Sequence, residues 1–155
     1  PTAWLEFERG EIDEPTFLRR FFADGRDFDH AALKAALWQS YAWLDGMEAL
    51  CGELSARHGC HLLSNYPVWY RIIEEKLELS RYADWSFVSC NLGVRKPHPG
   101  IYQAAIDQLG DPGAMIFVDD RQQNCDAAMA LGIDALRFRD AATLRGELVA
   151  RGLLD

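Results

Sequence analysis

At 155 residues the chain has the length of one domain with a single real core. Hydrophobic residues make up 49% and charged residues 26%, the balance of an ordinary soluble globular protein. With 24 acidic against 16 basic residues the net charge is −8, which argues against a broad surface for nucleic-acid phosphates but leaves local cations free to meet a small anion. No apolar run approaches the roughly 20 residues of a membrane span, so neither nucleic acid nor a membrane is expected as a partner.

The sequence starts at Pro1, with no basic, apolar targeting segment before it, and is compatible with a processed protein or a piece of a longer one. The first 44 residues are rich in aromatic and helix-forming types and predict a small helical subdomain. Asp13-Glu14-Pro15 marks a helix start, with Phe17, Leu18, Phe21 and Phe22 on one face, and Asp24-Gly25-Arg26 ends it. A second helix is predicted over about 29–43, capped by Asp29, with Leu33, Leu37, Tyr41 and Leu44 at helical spacing. The aromatics Trp4, Phe7, Trp38, Tyr41 and Trp43 read as core or as walls of a substrate pocket, with core the default role of such stripes.

From Asp45-Gly46 helices and strands alternate. Helices are expected over 47–57, 68–79, 100–109, 124–131 and 141–151, and strands over 60–64, 85–89, 114–118 and 135–138. This pattern predicts a parallel, Rossmann-like α/β sheet with helices on both faces and all carboxyl ends at one edge. The domain division expected is a helical cap over 1–44 and an α/β core over 45–155. Cys51, Cys60, Cys90 and Cys125 form no zinc or disulfide spacing, and Cys60 and Cys90, in apolar runs, read as small core residues of a reduced compartment. His30, His58 and His61 share no ligand spacing with one another or with the cysteines.

Three polar clusters follow predicted strands: Ser64-Asn65, Lys96 within Arg95-Lys96-Pro97, and Asp119-Asp120. Ligands of open parallel sheets bind beyond the strands' carboxyl ends, so the three should converge on one pocket. The Ser64 hydroxyl and nearby backbone N–H groups suit a phosphate oxygen; a helix cap or turn before Pro67 is the plainer use of the same residues. Lys96 offers a point charge to phosphate from a loop stiffened by Pro97 and Pro99, or is a solvated surface lysine. Adjacent carboxylates at a strand end repel unless a cation such as Mg²⁺ sits between them, or else Asp120 caps the next helix. His98 is a weaker acid–base candidate in the same loop.

In order and context, Ser64, Lys96 and Asp119-Asp120 resemble motifs two, three and four of the haloacid-dehalogenase-like hydrolase superfamily. The resemblance runs from about Asp45 to the end, and the helical start resembles a cap inserted after motif one. More narrowly, residues 1–7 and 64–70 are similar to plant plastid members described as flavin mononucleotide hydrolases. The resemblance implies a Mg²⁺-dependent phosphomonoester hydrolase working through an aspartyl-phosphate, on flavin mononucleotide or a similar small ester, in the chloroplast stroma. It implies Ser64 and Lys96 as catalytic residues, Ser64, Asn65 and Lys96 as substrate ligands, Asp119 and Asp120 as metal ligands, and Asn124 as their support.

The departure from the family pattern is motif one. No Asp-x-Asp ends an apolar strand; Asp27-Phe28-Asp29 has the spelling but lies in helical or loop sequence. The first, central strand and its nucleophile are therefore expected outside this chain, in an upstream segment or a partner chain, and the 155 residues alone are expected to be inactive. The alternative is a non-catalytic subunit that uses the fold as a scaffold in a larger assembly, its uncovered sheet edges met by a partner.

Overall fold

The computed structural model describes residues 2–155. Three helices come first: α1 (Thr2–Glu8), α2 (Glu14–Arg19) and α3 (His30–Ser40). Asp13 caps α2 by accepting from the Thr16 N–H at 2.9 Å, and Pro15 sits in the first turn, where a missing N–H breaks nothing. Asp29 caps α3 in the same way through the Ala32 N–H. Both helices stop earlier than their aromatic spacing suggests. Phe21 and Phe22 lie beyond α2; the Phe21 ring packs on Phe28 at 4.8 Å and the Arg26 guanidinium covers Phe22 at 3.9 Å. Tyr41 is already extended at the end of α3 and turns towards Tyr66, while Leu44 is left exposed.

Buried Phe7, Phe17, Leu18 and Trp69 form the core of this first segment, with Trp4, Leu33, Leu37, Tyr66 and Ile72 packed around them. Trp69, Tyr66 and Ile72 come from the sequence that follows residue 45, so the helical start shares its core with the α/β part. The expected aromatic core is only partly realised: Phe7 is fully buried, but Trp38 is exposed and lies near Lys76.

The remainder alternates as α4 (Met47–Ser55), β1 (His61–Ser64), α5 (Tyr70–Leu77), β2 (Asp84–Val88), α6 (Ser89–Leu92), α7 (Pro99–Leu109), β3 (Ile116–Asp119), α8 (Gln122–Met129), β4 (Asp134–Arg137) and α9 (Ala141–Ala150). The short α6, which strand periodicity does not suggest, carries Cys90 off the sheet. The cysteine expectation is corrected accordingly: Cys60 and Cys90 are only half-buried, and Cys125 is the buried thiol.

All strand pairs are parallel, but they form two separate pairs in place of one sheet, β1 with β2 and β3 with β4. Alternation along the strands sends Ile116 and Leu136 towards Leu50, Leu144 and Leu148 of α4 and α9. Phe117 and Ala135 meet Ile101, Tyr102 and Ala128 of α7 and α8, and Leu63 of β1 packs against that same cluster. Helices thus cover both faces, the α/β layering expected of parallel strands. Val118 of β3 is 37% exposed, an uncovered apolar residue in a strand otherwise built for burial.

The turn after α1 approaches α6 closely. Gly10 has φ +68°, and a Cβ there would lie 2.3 Å from the Cys90 carbonyl oxygen. Gly10→Ala is expected to cost about 2 kcal/mol or more, from left-handed strain and the clash together. Urea unfolding checks this, and an unchanged midpoint contradicts the close packing of α1 on α6.

Candidate active site

β1 ends in Ser64 because the chain leaves the apolar pair Leu62-Leu63 for Asn65-Tyr66-Pro67, and Pro67 prevents the strand from continuing. Ser64 is half-buried, and among the described residues its hydroxyl makes no hydrogen bond to the protein. Asn65 is engaged. Its Oδ1 accepts from the Lys96 N–H at 2.6 Å and its Nδ2 donates to the Lys96 carbonyl at 2.9 Å. This two-point grip on the Lys96 backbone positions the lysine and leaves one N–H of the Asn65 amide unengaged.

Lys96 is held at both ends. Its Nζ donates to the Leu63 carbonyl at 2.7 Å and to Asp119 Oδ2 at 2.7 Å, with the side chain only 11% exposed. The ammonium therefore sits between the carboxyl ends of β1 and β3, strands that do not hydrogen-bond to each other. Pro97, joined to Lys96 by a cis peptide bond, and Pro99 complete the loop. His98 accepts from the Gly100 N–H at 3.0 Å through Nδ1 and so caps α7, a structural use of the ring.

Asp119 and Asp120 have different environments. Both Asp119 oxygens are taken: Oδ2 by Lys96, Oδ1 by the Arg121 N–H at 2.8 Å and Asn124 Nδ2 at 2.9 Å. Burial pushes this carboxyl up, but the Lys96 ammonium and the two N–H donors outweigh it and hold the group below the usual carboxylate range. Asp120 is exposed, and its carboxylate accepts no hydrogen bond from the described residues; only its carbonyl is used, by Arg137 Nε at 3.2 Å. It does not cap α8, whose N-cap residue is Arg121, without a side-chain bond. Asn124 is buried at 3% exposure, and its Oδ1 is the one buried side-chain polar atom without a partner among the described residues.

Mg²⁺ takes oxygen ligands in a near-octahedral set. Asp120 supplies a free carboxylate of suitable chemistry, whereas Asp119 has no oxygen free of donors. Among the described residues no group of three or more His, Cys, Asp or Glu side chains is placed to hold a metal. The fit is thus to one unengaged ligand of a set that other groups must complete. Sequence reasoning missed Glu8, Ser89 and Arg95, which brace these loops; the visible signal was Trp4 and Glu8 four apart on one helical face.

Because the Asp119 carboxyl is held low, its stabilising contribution is complete above about pH 4, where the unfolded chain's carboxylate is ionised, and is lost as pH falls through the folded-state value. Asp119→Asn is expected to lower stability by roughly 2–3 kcal/mol near neutral pH, with the gap from wild type narrowing towards about pH 3. Urea unfolding at the two pH values checks this, and a gap of constant size contradicts the pairing.

A family model described as haloacid dehalogenase-like hydrolase matches residues 6–132. The chain is 44% identical over 155 residues to Arabidopsis thaliana flavin mononucleotide hydrolase 1, described as chloroplastic, covering 99% of this chain and 63% of that protein. It is 28% identical over 152 residues to an Aspergillus oryzae sesquiterpene phosphatase, covering 94% of this chain and 76% of that one. Among solved structures, a mutant haloacid-dehalogenase family enzyme of Bacteroides thetaiotaomicron in complex with magnesium and inorganic phosphate superposes with a TM-score of 0.70 at 25% identity, over 89% of this chain and 76% of that one. The ordered loops after β1, β2 and β3 and these matches agree: the chain belongs to the haloacid dehalogenase-like hydrolase family.

Proposed function

We propose that the whole protein is a Mg²⁺-dependent phosphomonoester hydrolase acting on flavin mononucleotide or a similar small phosphate ester. The observation that carries this reading is the meeting of an unengaged Ser64 hydroxyl, a fixed Lys96 ammonium and an open Asp120 carboxylate beyond the ends of β1 and β3. The flavin mononucleotide hydrolase at 44% identity supports the substrate class, and its description as chloroplastic supports a plastid setting.

In this reading the Ser64 hydroxyl donates a hydrogen bond to a phosphoryl oxygen, and Lys96 balances the charge that develops on the transferring group. Both act from fixed positions, which is where most of the rate comes from in phosphoryl transfer. Asp119 aims the lysine and Asn65 fixes its backbone; Asn124 holds Asp119. Asp120 is a metal ligand, and Mg²⁺ when bound stabilises negative charge on the phosphoryl oxygens. Asp119 combines the expected ligand role with positioning of Lys96, its Oδ2 carrying a single donor and its Oδ1 two.

The nucleophile is an Asp at the end of a further parallel strand lying between β1 and β3, with a second Asp two positions on to protonate the leaving oxygen. Such a strand would join the two strand pairs into one five-stranded sheet and cover apolar Val118. A helical cap over 1–44 on an α/β core over 45–155 would then wall the substrate from a fixed seat, since its core is shared with Tyr66, Trp69 and Ile72.

Full-length protein is expected to release phosphate from flavin mononucleotide or an aryl phosphate only with Mg²⁺. Asp120→Asn should abolish the metal dependence of ligand binding, and Ser64→Ala should reduce kcat by about 10²-fold, as loss of an oxyanion donor does, with metal binding retained. Phosphate-release assays and Mg²⁺ titrations check these; no turnover by the full-length protein, or equal metal affinity in wild type and Asp120→Asn, contradicts the assignment.

A further inference from the structure

Glu8, at the end of α1, is far from the three motifs in sequence, yet it bonds the neighbour of Lys96 directly and reaches the neighbour of Asn65 through Ser89. Its side chain is 8% exposed, unusual for a carboxylate, and it accepts one bond from its own helix and one from the lysine-bearing loop. Oε2 accepts from Arg95 Nε at 2.9 Å, and Oε1 from Trp4 Nε1 at 2.7 Å. The Glu8 carbonyl accepts from the Ser89 hydroxyl, and the same hydroxyl oxygen accepts from the Tyr66 N–H at 3.0 Å. Ser89 is fully buried. Arg95 is bonded directly to Lys96 along the chain, and Tyr66 directly to Asn65. Glu8 thus reaches Lys96 through Arg95 by its carboxylate, and Asn65 through Ser89 and Tyr66 by its carbonyl.

We infer that Glu8 and Arg95 are positioning residues for Lys96, through which the N-terminal helical segment fixes the lysine-bearing loop. The steric seat agrees with this. Gly10 lies against the Cys90 carbonyl with no room for a side chain, so α1 is fitted to α6 at the end of β2 and cannot swing as a free lid. Of the pair, Glu8 is 8% and Arg95 27% exposed, so losing Arg95 strands a shielded carboxylate, whereas losing Glu8 frees a cation that can reach water. Without Glu8, Arg95 turns to solvent and the backbone on one side of Lys96 loses its anchor. The ammonium then samples positions other than the one between Leu63 and Asp119. The helical start is, in this view, a built part of the site's frame and not merely a cover over it.

The inference rests on the reading of Lys96 as the phosphate-facing cation, but its test reads the lysine directly and needs no turnover. The 155 residues hold three lysines, Lys34, Lys76 and Lys96, each engaged by the protein. Acylation of the full-length protein with acetic anhydride, followed by peptide mass spectrometry, measures the protection of each. In Glu8→Gln and Arg95→Ala, Lys96 is expected to be acylated at least about fivefold faster, while Lys34 and Lys76 stay within about twofold of wild type. Arg95→Lys, which keeps a cation in reach of Glu8, is expected to restore most of the protection. An unchanged Lys96 rate overturns the inference, as does a rise shared equally by all three lysines, which would mark general loosening. Equal exposure in Arg95→Lys and Arg95→Ala also overturns it. A protein that shows the selective change yet hydrolyses no phosphate ester leaves the positioning role standing and removes only the hydrolase reading.

Discussion

One ammonium group links the two halves of this fold. Lys96 Nζ is shared between the Leu63 carbonyl at the end of β1 and the Asp119 carboxylate at the end of β3, strands with no backbone hydrogen bond between them. A charge placed there, 11% exposed, is tolerable only because a carboxylate and a carbonyl both face it. Everything else at this edge follows from keeping it fixed. Asn65 spends its amide on the lysine's backbone, Asn124 and the Arg121 N–H hold the partner carboxylate, and Glu8 reaches the flanking residues from the N-terminal helices.

This arrangement separates two aspartates that the sequence writes side by side. Adjacent strand-end residues point to different sides of the sheet edge, so Asp119 turns inwards to the lysine and Asp120 outwards to solvent. One carboxylate accepts three hydrogen bonds and serves organisation; the other accepts none from the described residues and is open to a cation. The contrast between an engaged Asn65 and an unengaged Ser64 on the neighbouring loop has the same logic, with one residue building the frame and the next left free for a ligand.

Much of this was legible in the residues. The alternation of apolar runs with helical stretches after Asp45 fixed strand and helix identities to within a few residues, since burial on both faces leaves little choice for segments such as Ile116-Phe117-Val118. The caps Asp13 and Asp29 were visible for the same local reason. What could not be read were the long-range partners. Nothing local says that Asn65 grips Lys96 thirty-one residues away, or that Glu8 meets Arg95 across eighty-seven. Phe21 and Phe22 looked helical because their spacing was right, but ring packing on Phe28 and Arg26 won over one more helical turn. Nor did alternation along the chain show that the strands would form two pairs, β1 with β2 and β3 with β4.

The family relation fixes the fold, while function depends on the site carried by it. The most direct test of the account is therefore energetic: a double-mutant cycle on Lys96→Met and Asp119→Asn, measured by urea unfolding near neutral pH. The account predicts a coupling energy of about 2 kcal/mol or more, as expected for a shielded, hydrogen-bonded charge pair. A coupling below about 0.5 kcal/mol, the scatter of independent sites, would mean that the lysine and the aspartate do not hold one another and that the site is not built around them.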